Sequence, residues 1–260
     1  MDFPYGGAFA ALCVLQGVLV AAPWRRSPQI SRSRLVGVAL PIAVFGIGLA
    51  AARGAHWSTR LVADLATFAT PVLAAATGWV WGWRRPWLFA AAAPAAWVVA
   101  WRADGLAADA CAVALIAGAC LTLAAAVAAL TPRWTLALGL VVLACVDAVL
   151  VFSDQVRPAT EALHAIVPVS AAGRPLPALQ DATLGSALFG WLDILAPALA
   201  ATLLAGDDRR RLAGAAMTAA AALALGLLLA VSSEVPGTVP PVAAVAVWFV
   251  ATRARAAATA

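Results

Sequence analysis

The sequence predicts an all-α protein that crosses a membrane many times. Of its 260 residues, 64% are hydrophobic and 11% are charged, whereas ordinary soluble domains are roughly 45–50% apolar and about 25% charged. The apolar residues form long runs, and backbone groups in lipid must be satisfied within their own segment, so these runs are expected to be helices. This composition excludes a solution-phase enzyme, a nucleic-acid-binding domain and a disordered chain.

Nine segments are apolar and long enough to be considered as membrane spans, which need about 20 residues each. Cutting the chain at charges and at proline or glycine clusters gives Gly6–Ala22, Leu35–Ala52, Leu61–Trp83, Trp87–Trp101, Ala107–Leu130, Trp134–Phe152, Thr183–Gly206, Leu212–Ser232 and Val239–Thr252. The chain is therefore predicted to be a single transmembrane domain over 1–260. Spans one to six lie in 1–152, an extracytoplasmic loop occupies 153–182, and spans seven to nine lie in 183–260.

The arginine distribution predicts the orientation, because cytoplasmic loops carry an excess of basic residues. All 17 basic residues are Arg, and twelve of them fall on the side that holds the C-terminus and the loops after spans one, three, five and seven. The N-terminus is therefore expected outside and the C-terminus in the cytoplasm. Abundant Ala and Arg without Lys indicate a GC-rich prokaryotic genome, which makes the plasma membrane the expected location.

Two acidic residues lie deep inside predicted spans, where an ionisable side chain is by default a hypothesis of function. At ~1.5 Å of rise per residue, Asp147 is about 9 Å from the outer end of span six. Asp193 is about 15 Å from the outer end of span seven, or less if that helix begins at Gly185. These spans are consecutive and antiparallel, so the two carboxylates can face each other. Asp64 and Asp109 lie near the outer ends of their spans and are interpreted as interfacial or inter-helix groups.

Paired carboxylates in a low-dielectric site cannot both ionise easily, so the pair is expected to share one proton. That state suits peptide hydrolysis, in which the ionised acid activates a water and the protonated acid donates to the scissile carbonyl. The same state also suits a proton relay in a transporter. The spacing alone leaves both interpretations open.

Three segments of the second half of the chain carry a family resemblance. They are Val146–Phe152 around the first acid, Gly190–Pro197 around the second, and Val239–Ala243 at the start of span nine. In this order they resemble the YD, GxGD and PAL motifs of the presenilin and signal peptide peptidase family of intramembrane aspartyl proteases. The number of spans and the N-outside orientation are similar to those of the signal peptide peptidase branch.

The chain departs from the family pattern at each motif. Val146 stands where the family has Tyr, and Leu192 where it has the Gly before the second acid. Pro241-Val242-Ala243 stands where it has Pro-Ala-Leu.

The resemblance implies a presenilin-like bundle of nine helices that hydrolyses peptide bonds inside transmembrane helices, with Asp147 and Asp193 as the catalytic pair. The implied substrate-binding or supporting residues are Gly190, Leu192, Pro240, Pro241 and Val242. Gly190 is also interpreted as part of a small face that lets helices pack closely. The resemblance further implies a strand near the β-prone segment Ala165–Val169, which would hold an extended substrate.

Water is the expected co-substrate, and no metal, organic cofactor or nucleic acid is expected. The expected partners are helical membrane substrates and the lipid bilayer. Three alternatives stay open: a proton-coupled transporter or channel that uses the same acids, a family relative without proteolytic activity, and an enzyme of the prepilin peptidase type. The sequence has no internal repeat of the kind many transporters show, and none of the cytoplasmic motifs of prepilin peptidases.

Overall fold

The computed structural model describes residues 5–22, 56–82, 84–153, 181–227 and 236–258, which form eight helices and one β-hairpin. The helices are α1 (Tyr5–Ala21), α2 (His56–Val80), α3 (Trp87–Arg102), α4 (Leu106–Leu130), α5 (Arg133–Phe152), α6 (Trp191–Leu204), α7 (Asp208–Gly226) and α8 (Val239–Ala258). The antiparallel hairpin consists of β1 (Asp181–Leu184) and β2 (Ala187–Gly190). The prediction of a mostly helical protein is confirmed for this part of the chain.

Each described helix corresponds to one predicted span, because prolines and charges end the apolar runs. Pro86 and Pro132 are the N-cap residues of α3 and α5. A proline is tolerated at a helix start because the N–H it lacks would have no partner within the helix. The second predicted span, Leu35–Ala52, and the β-prone segment Ala165–Val169 lie outside the described residues.

The prediction for span seven was wrong over its first eight residues. Thr183 to Gly190 belong to the hairpin, and the helix begins only at Trp191. The pairing of Leu184 with Ala187 leaves a two-residue turn, in which Gly185 has φ +59°. Glycine adopts this left-handed conformation without steric cost, and turns of this kind match the twist of paired strands. Asp109, near the start of α4, accepts a hydrogen bond from the Gly185 N–H at 2.8 Å and so fixes the turn to the bundle.

Helix α6 lies at the centre of the bundle. Every residue from Ile194 to Leu204 except Thr202 is buried, and the helix packs against α1, α4, α5 and α8. Helix α4 is buried on most of its faces, and α2 and α3 pack against it away from α6. Elements from the first, middle and last parts of the chain therefore surround the N-terminal turn of α6.

Two of the described helices, α4 and α5, are long and apolar enough to cross a membrane, and α1 and α6 are shorter apolar helices. Helix α5 has a largely outward-facing apolar surface, on which Val141, Val142, Val149 and Phe152 are exposed. Contiguous exposed apolar side chains of this size indicate contact with lipid or with another protein. The described helices are thus compatible with membrane association, and the nine-span arrangement stays a prediction.

The helix ends predicted to be cytoplasmic lie close together. Arg133, at the start of α5, donates to the carbonyl of Ala205 after α6 at 3.2 Å, and Arg211 of α7 donates to the carbonyl of Ala22 after α1 at 3.3 Å. The guanidinium of Arg210 lies 5.4 Å from the ring centre of Trp248 in α8. Cations favour the C-terminal ends of helices, whose last carbonyls carry partial negative charge. The ends of α1 and α6 and the starts of α5 and α7 therefore lie at one end of the described bundle, beside α8.

Candidate active site

Asp193 is fixed in the first turn of α6, directly after the hairpin. Gly190 is the N-cap residue, and its N–H donates to Asp193 Oδ2 at 3.0 Å. This bond satisfies one of the N–H groups that a helix start leaves free, and it holds the carboxylate against the end of β2. Since the helix begins at Trp191, Asp193 lies within one turn of its start. The prediction that it lies ten residues into a helix was wrong.

Asp147 is held from the other side, by the segment that precedes α8. Thr238 donates to Asp147 Oδ2 twice, through its hydroxyl at 2.6 Å and through its backbone N–H at 3.4 Å. Thr238 is completely buried. Hydrogen bonds to an ionised carboxylate are shorter and stronger than those between neutral groups. The start of α8 therefore positions the Asp147 side chain.

Gly237 brings the second acid to the same segment. A Cβ atom at Gly237 would lie 2.6 Å from Asp193 Cγ and 2.7 Å from Asp193 Oδ1, so the Asp193 carboxyl rests against the open face of this glycine. Because Gly237 and Thr238 are consecutive, covalent spacing holds Asp147 Oδ2 and Asp193 Cγ within about 10 Å of each other.

Two carboxyl groups separated by no more than this distance can carry out acid–base chemistry. Pairs of carboxyl groups roughly 6.5–9.5 Å apart leave room for a water molecule between an acid and a base in inverting glycosidases. The segment Gly237-Thr238 thus joins two acids from different helices, and the upper limit on their separation allows acid–base chemistry on a water and a third group. We call Asp147, Asp193, Gly237 and Thr238 the dyad site.

Gln16 is a part of this site that the sequence did not reveal. It lies on α1, is completely buried, and donates through Nε2 to the backbone carbonyl of Asp193 at 2.8 Å and to that of Gly237 at 3.0 Å. Its Oε1 has no hydrogen-bond partner among the described residues. Its signal in the sequence was a polar residue in the second half of an otherwise apolar first span, and Gly237 and Thr238 had no signal besides their place before Pro240.

The residues that were predicted to support the site lie at the starts of α6 and α8. Gly190 supplies its N–H to Asp193, and a Cβ there would meet only Asp193 Oδ2, at 3.5 Å, so close helix packing is not its role in this structure. Leu192 is partly buried at the edge of the core. Pro240, Pro241 and Val242 are buried in the first turn of α8.

No hydrogen bond described above links the other two acidic candidates, Asp64 and Asp109, to the dyad site. Asp109 was predicted to be an interfacial or inter-helix group, and it accepts a hydrogen bond from the hairpin turn instead. Asp64 is half-buried on α2. In the part of the chain that the structure describes, no three His, Cys, Asp or Glu residues are placed to hold a metal ion.

Comparison with protein family models, with curated proteins and with solved structures finds no match for this chain. The interpretation of the dyad site therefore depends on its own geometry and on the sequence motifs.

Proposed function

We propose that the chain is an intramembrane aspartyl protease that hydrolyses a peptide bond within a transmembrane helix of its substrate. The observation that carries the proposal is the convergence of Asp147 and Asp193 on Gly237-Thr238, within about 10 Å of each other. Two acids so placed in an apolar bundle are arranged to share one proton. The motifs around both acids and before α8 support the same reaction.

We propose a role for each acid from its hydrogen bonds. Asp147 accepts two bonds from Thr238 at one oxygen, which stabilises its ionised form, so it is the general base that takes a proton from water. Asp193 accepts a single bond from Gly190 at Oδ2, so it keeps the shared proton. It donates that proton to the oxygen of the scissile carbonyl as the tetrahedral intermediate forms.

The hairpin provides a means to present an extended substrate to these acids. Hydrolysis requires a helical substrate to unwind locally, because a helix shields its peptide bonds. β2 ends at Gly190, three residues before Asp193, and the sheet has only two strands in the described chain. An unwound substrate that pairs with a free edge of this hairpin would be delivered next to the second acid.

The proposal includes a presenilin-like bundle of nine spanning helices in the plasma membrane, with the N-terminus outside and the C-terminus in the cytoplasm. The distribution of Arg residues and the meeting of the predicted inner helix ends at Arg133, Arg210 and Arg211 support this arrangement. This orientation favours substrates with a cytoplasmic N-terminus. Water is the co-substrate.

The test is cleavage of a single-helix reporter peptide by the purified protein in liposomes, with products identified by mass spectrometry. We expect the wild type to cleave within the helix, and Asp147→Ala and Asp193→Ala each to abolish cleavage while the protein remains folded. Asp64→Asn, which changes a half-buried acid on α2, is the matched control and is expected to cleave at the wild-type rate. Cleavage retained in either variant that lacks a dyad acid would contradict the proposal.

Two other outcomes would replace it. Solute flux that follows a pH gradient, without any peptide product, would assign the dyad site to a proton-coupled transporter. An inactive wild type that does not bind a transition-state analogue of aspartyl proteases would instead indicate a relative without proteolytic activity.

A further inference from the structure

Helix α6 lacks one of its own hydrogen bonds at Asp193. The carbonyl of a helical residue accepts from the N–H four residues later, and four residues after Asp193 stands Pro197, which has no N–H. The Asp193 carbonyl therefore lacks its usual partner within its own helix. In an apolar interior an unpaired carbonyl is costly, so a donor from elsewhere is required.

Gln16 is that donor, although it lies 177 residues away in sequence. Its Nε2 contacts the Asp193 carbonyl at 2.8 Å and the Gly237 carbonyl at 3.0 Å. Both partners are acceptors, so the nitrogen of the amide must face them. The two N–H groups of one side chain thus link α1, the first turn of α6 and the segment before α8.

The link acts at the residues that set the geometry of the dyad site. Asp193 and Gly237 are the two residues whose contact places the Asp193 carboxyl, and Thr238 follows Gly237 directly and holds Asp147. Because Gln16 holds the carbonyls of Asp193 and Gly237 together, it fixes the positions of both acids. With an alanine at position 197, α6 would satisfy the Asp193 carbonyl itself. The stability of α6 would then not require a polar residue at position 16.

We propose that Gln16 is a positioning residue of the proposed protease, and that Pro197 frees the Asp193 carbonyl so that Gln16 clamps it to Gly237. The inference rests on the proposed function. It assigns to α1 a role in catalysis that neither the motifs nor the two acids indicate. Gln16 acts through Gly237 and Asp193, and it does not take part in proton transfer.

The first test is Gln16→Leu, which keeps the size of the side chain and removes both hydrogen bonds. We expect kcat to fall about 10²-fold, since a displacement of about 1 Å can have that effect, with KM within about twofold of wild type. Thr122→Val is the matched control, because it removes a buried side-chain bond to a backbone carbonyl, that of Leu73 at 2.8 Å, in the contact between α4 and α2. The control is expected to retain the wild-type kcat.

The second test separates positioning from stability. Pro197→Ala supplies an N–H to the Asp193 carbonyl, so the double variant Gln16→Leu/Pro197→Ala should regain part of the thermal stability that Gln16→Leu loses. This recovery is partial, because the Gly237 carbonyl still lacks the bond from Gln16. For the same reason the double variant should show a kcat about 10²-fold below that of Pro197→Ala. If Gln16→Leu does not fold, this comparison between the double variant and Pro197→Ala decides the question alone.

Recovery of kcat together with stability in the double variant would overturn the inference, and so would a wild-type kcat in Gln16→Leu. Failure of the proposed function looks different. In that case the wild type cleaves no reporter helix, or cleavage persists without Asp147 or Asp193.

Discussion

Gly237 is the position at which the smallest possible side chain should have the largest effect. An added Cβ atom would lie 2.6 Å from Asp193 Cγ, 2.7 Å from Oδ1 and 3.0 Å from Cβ of the same residue. Asp193 cannot turn away freely, because its Oδ2 is bound to the Gly190 N–H and its backbone is bound to Gln16. Gly237→Ala must therefore displace the Asp193 carboxyl, or separate the segment before α8 from α6.

The size of the effect follows from these distances. Ordinary contacts between carbon atoms are about 3.5–4.0 Å, so the carboxyl has to move by about 1 Å. A misplacement of this size can cost about 10²-fold in rate, which corresponds to about 2.7 kcal/mol of transition-state stabilisation. The Gly237 backbone is outside the left-handed region, so the loss would report lack of space and not backbone strain.

The assay is cleavage of the reporter helix in liposomes, with kcat and KM measured separately and thermal unfolding followed in parallel. Gly190→Ala is the matched control, because it also adds a methyl group beside Asp193 but meets only Oδ2, at 3.5 Å, with φ −64°. We expect this control to retain kcat within a few-fold. Equal activity of Gly237→Ala and wild type would refute the placement of Asp193 against Gly237.

Three further predictions concern the same site. Thr238→Val removes the hydroxyl donor to Asp147 and should lower kcat about 10-fold to 100-fold, since a hydrogen bond to a charged group contributes roughly 1.5–3 kcal/mol. Thr238→Ser keeps the hydroxyl and should retain activity. Equal rates for the two variants would show that the hydroxyl does not position Asp147. Asp109→Ala removes the acceptor that holds the Gly185 turn and should raise KM more than it lowers kcat; an unchanged KM would separate the hairpin from substrate binding. The pH–rate profile should be bell-shaped. The rate should fall at low pH, where both acids are protonated and no base remains, and at high pH, where both are ionised and no acid remains. A rate that rises steadily with pH would contradict a shared proton.

The sequence predicts the described helices well because their ends are marked by strong local signals. Charges, prolines and the length of apolar runs place the start of α3 at Trp87 and the end of α4 at Leu130. These signals are local, and long-range packing shifts the helix ends by only a few residues. The predicted alternation in helix direction agrees with the contacts of Arg133 and Arg211, each of which donates to a carbonyl just after the end of another helix.

The hairpin could not be predicted in the same way, because an apolar run of this length does not distinguish a strand from a buried helix. Thr183-Leu184 and Ala187–Gly190 read as the beginning of a span. The available signal was the Gly185-Ser186 pair between two short apolar runs, which is a turn signature. It was outweighed by the continuity of apolar residues into α6.

The partners of the two acids depend on contacts between distant parts of the chain. Asp147 and Asp193 attract attention because acids are rare inside apolar spans. Gln16 and Gly237 are separated by 221 residues, and no local pattern pairs them. Pro197 was the one indication, since a proline four residues after Asp193 predicts a carbonyl in need of a donor.

The most direct measurement of the central claim is the separation of positions 147 and 193 in the membrane. In a chain whose four cysteines are replaced, Asp147→Cys with Asp193→Cys is treated in liposomes with a bifunctional thiol reagent of about 10 Å reach, the upper limit that the dyad site sets on the separation. Asp193→Cys with Asp208→Cys is the control pair, since Asp193 lies in the first turn of α6 and Asp208 begins α7 beyond the other end of α6, and the helix from Asp193 to Leu204 rises on the order of 16 Å. The account predicts an internal crosslink, seen by intact mass, in the first pair and none in the control. Two separately modified thiols without a crosslink in the first pair would show that the acids do not meet and would contradict the account.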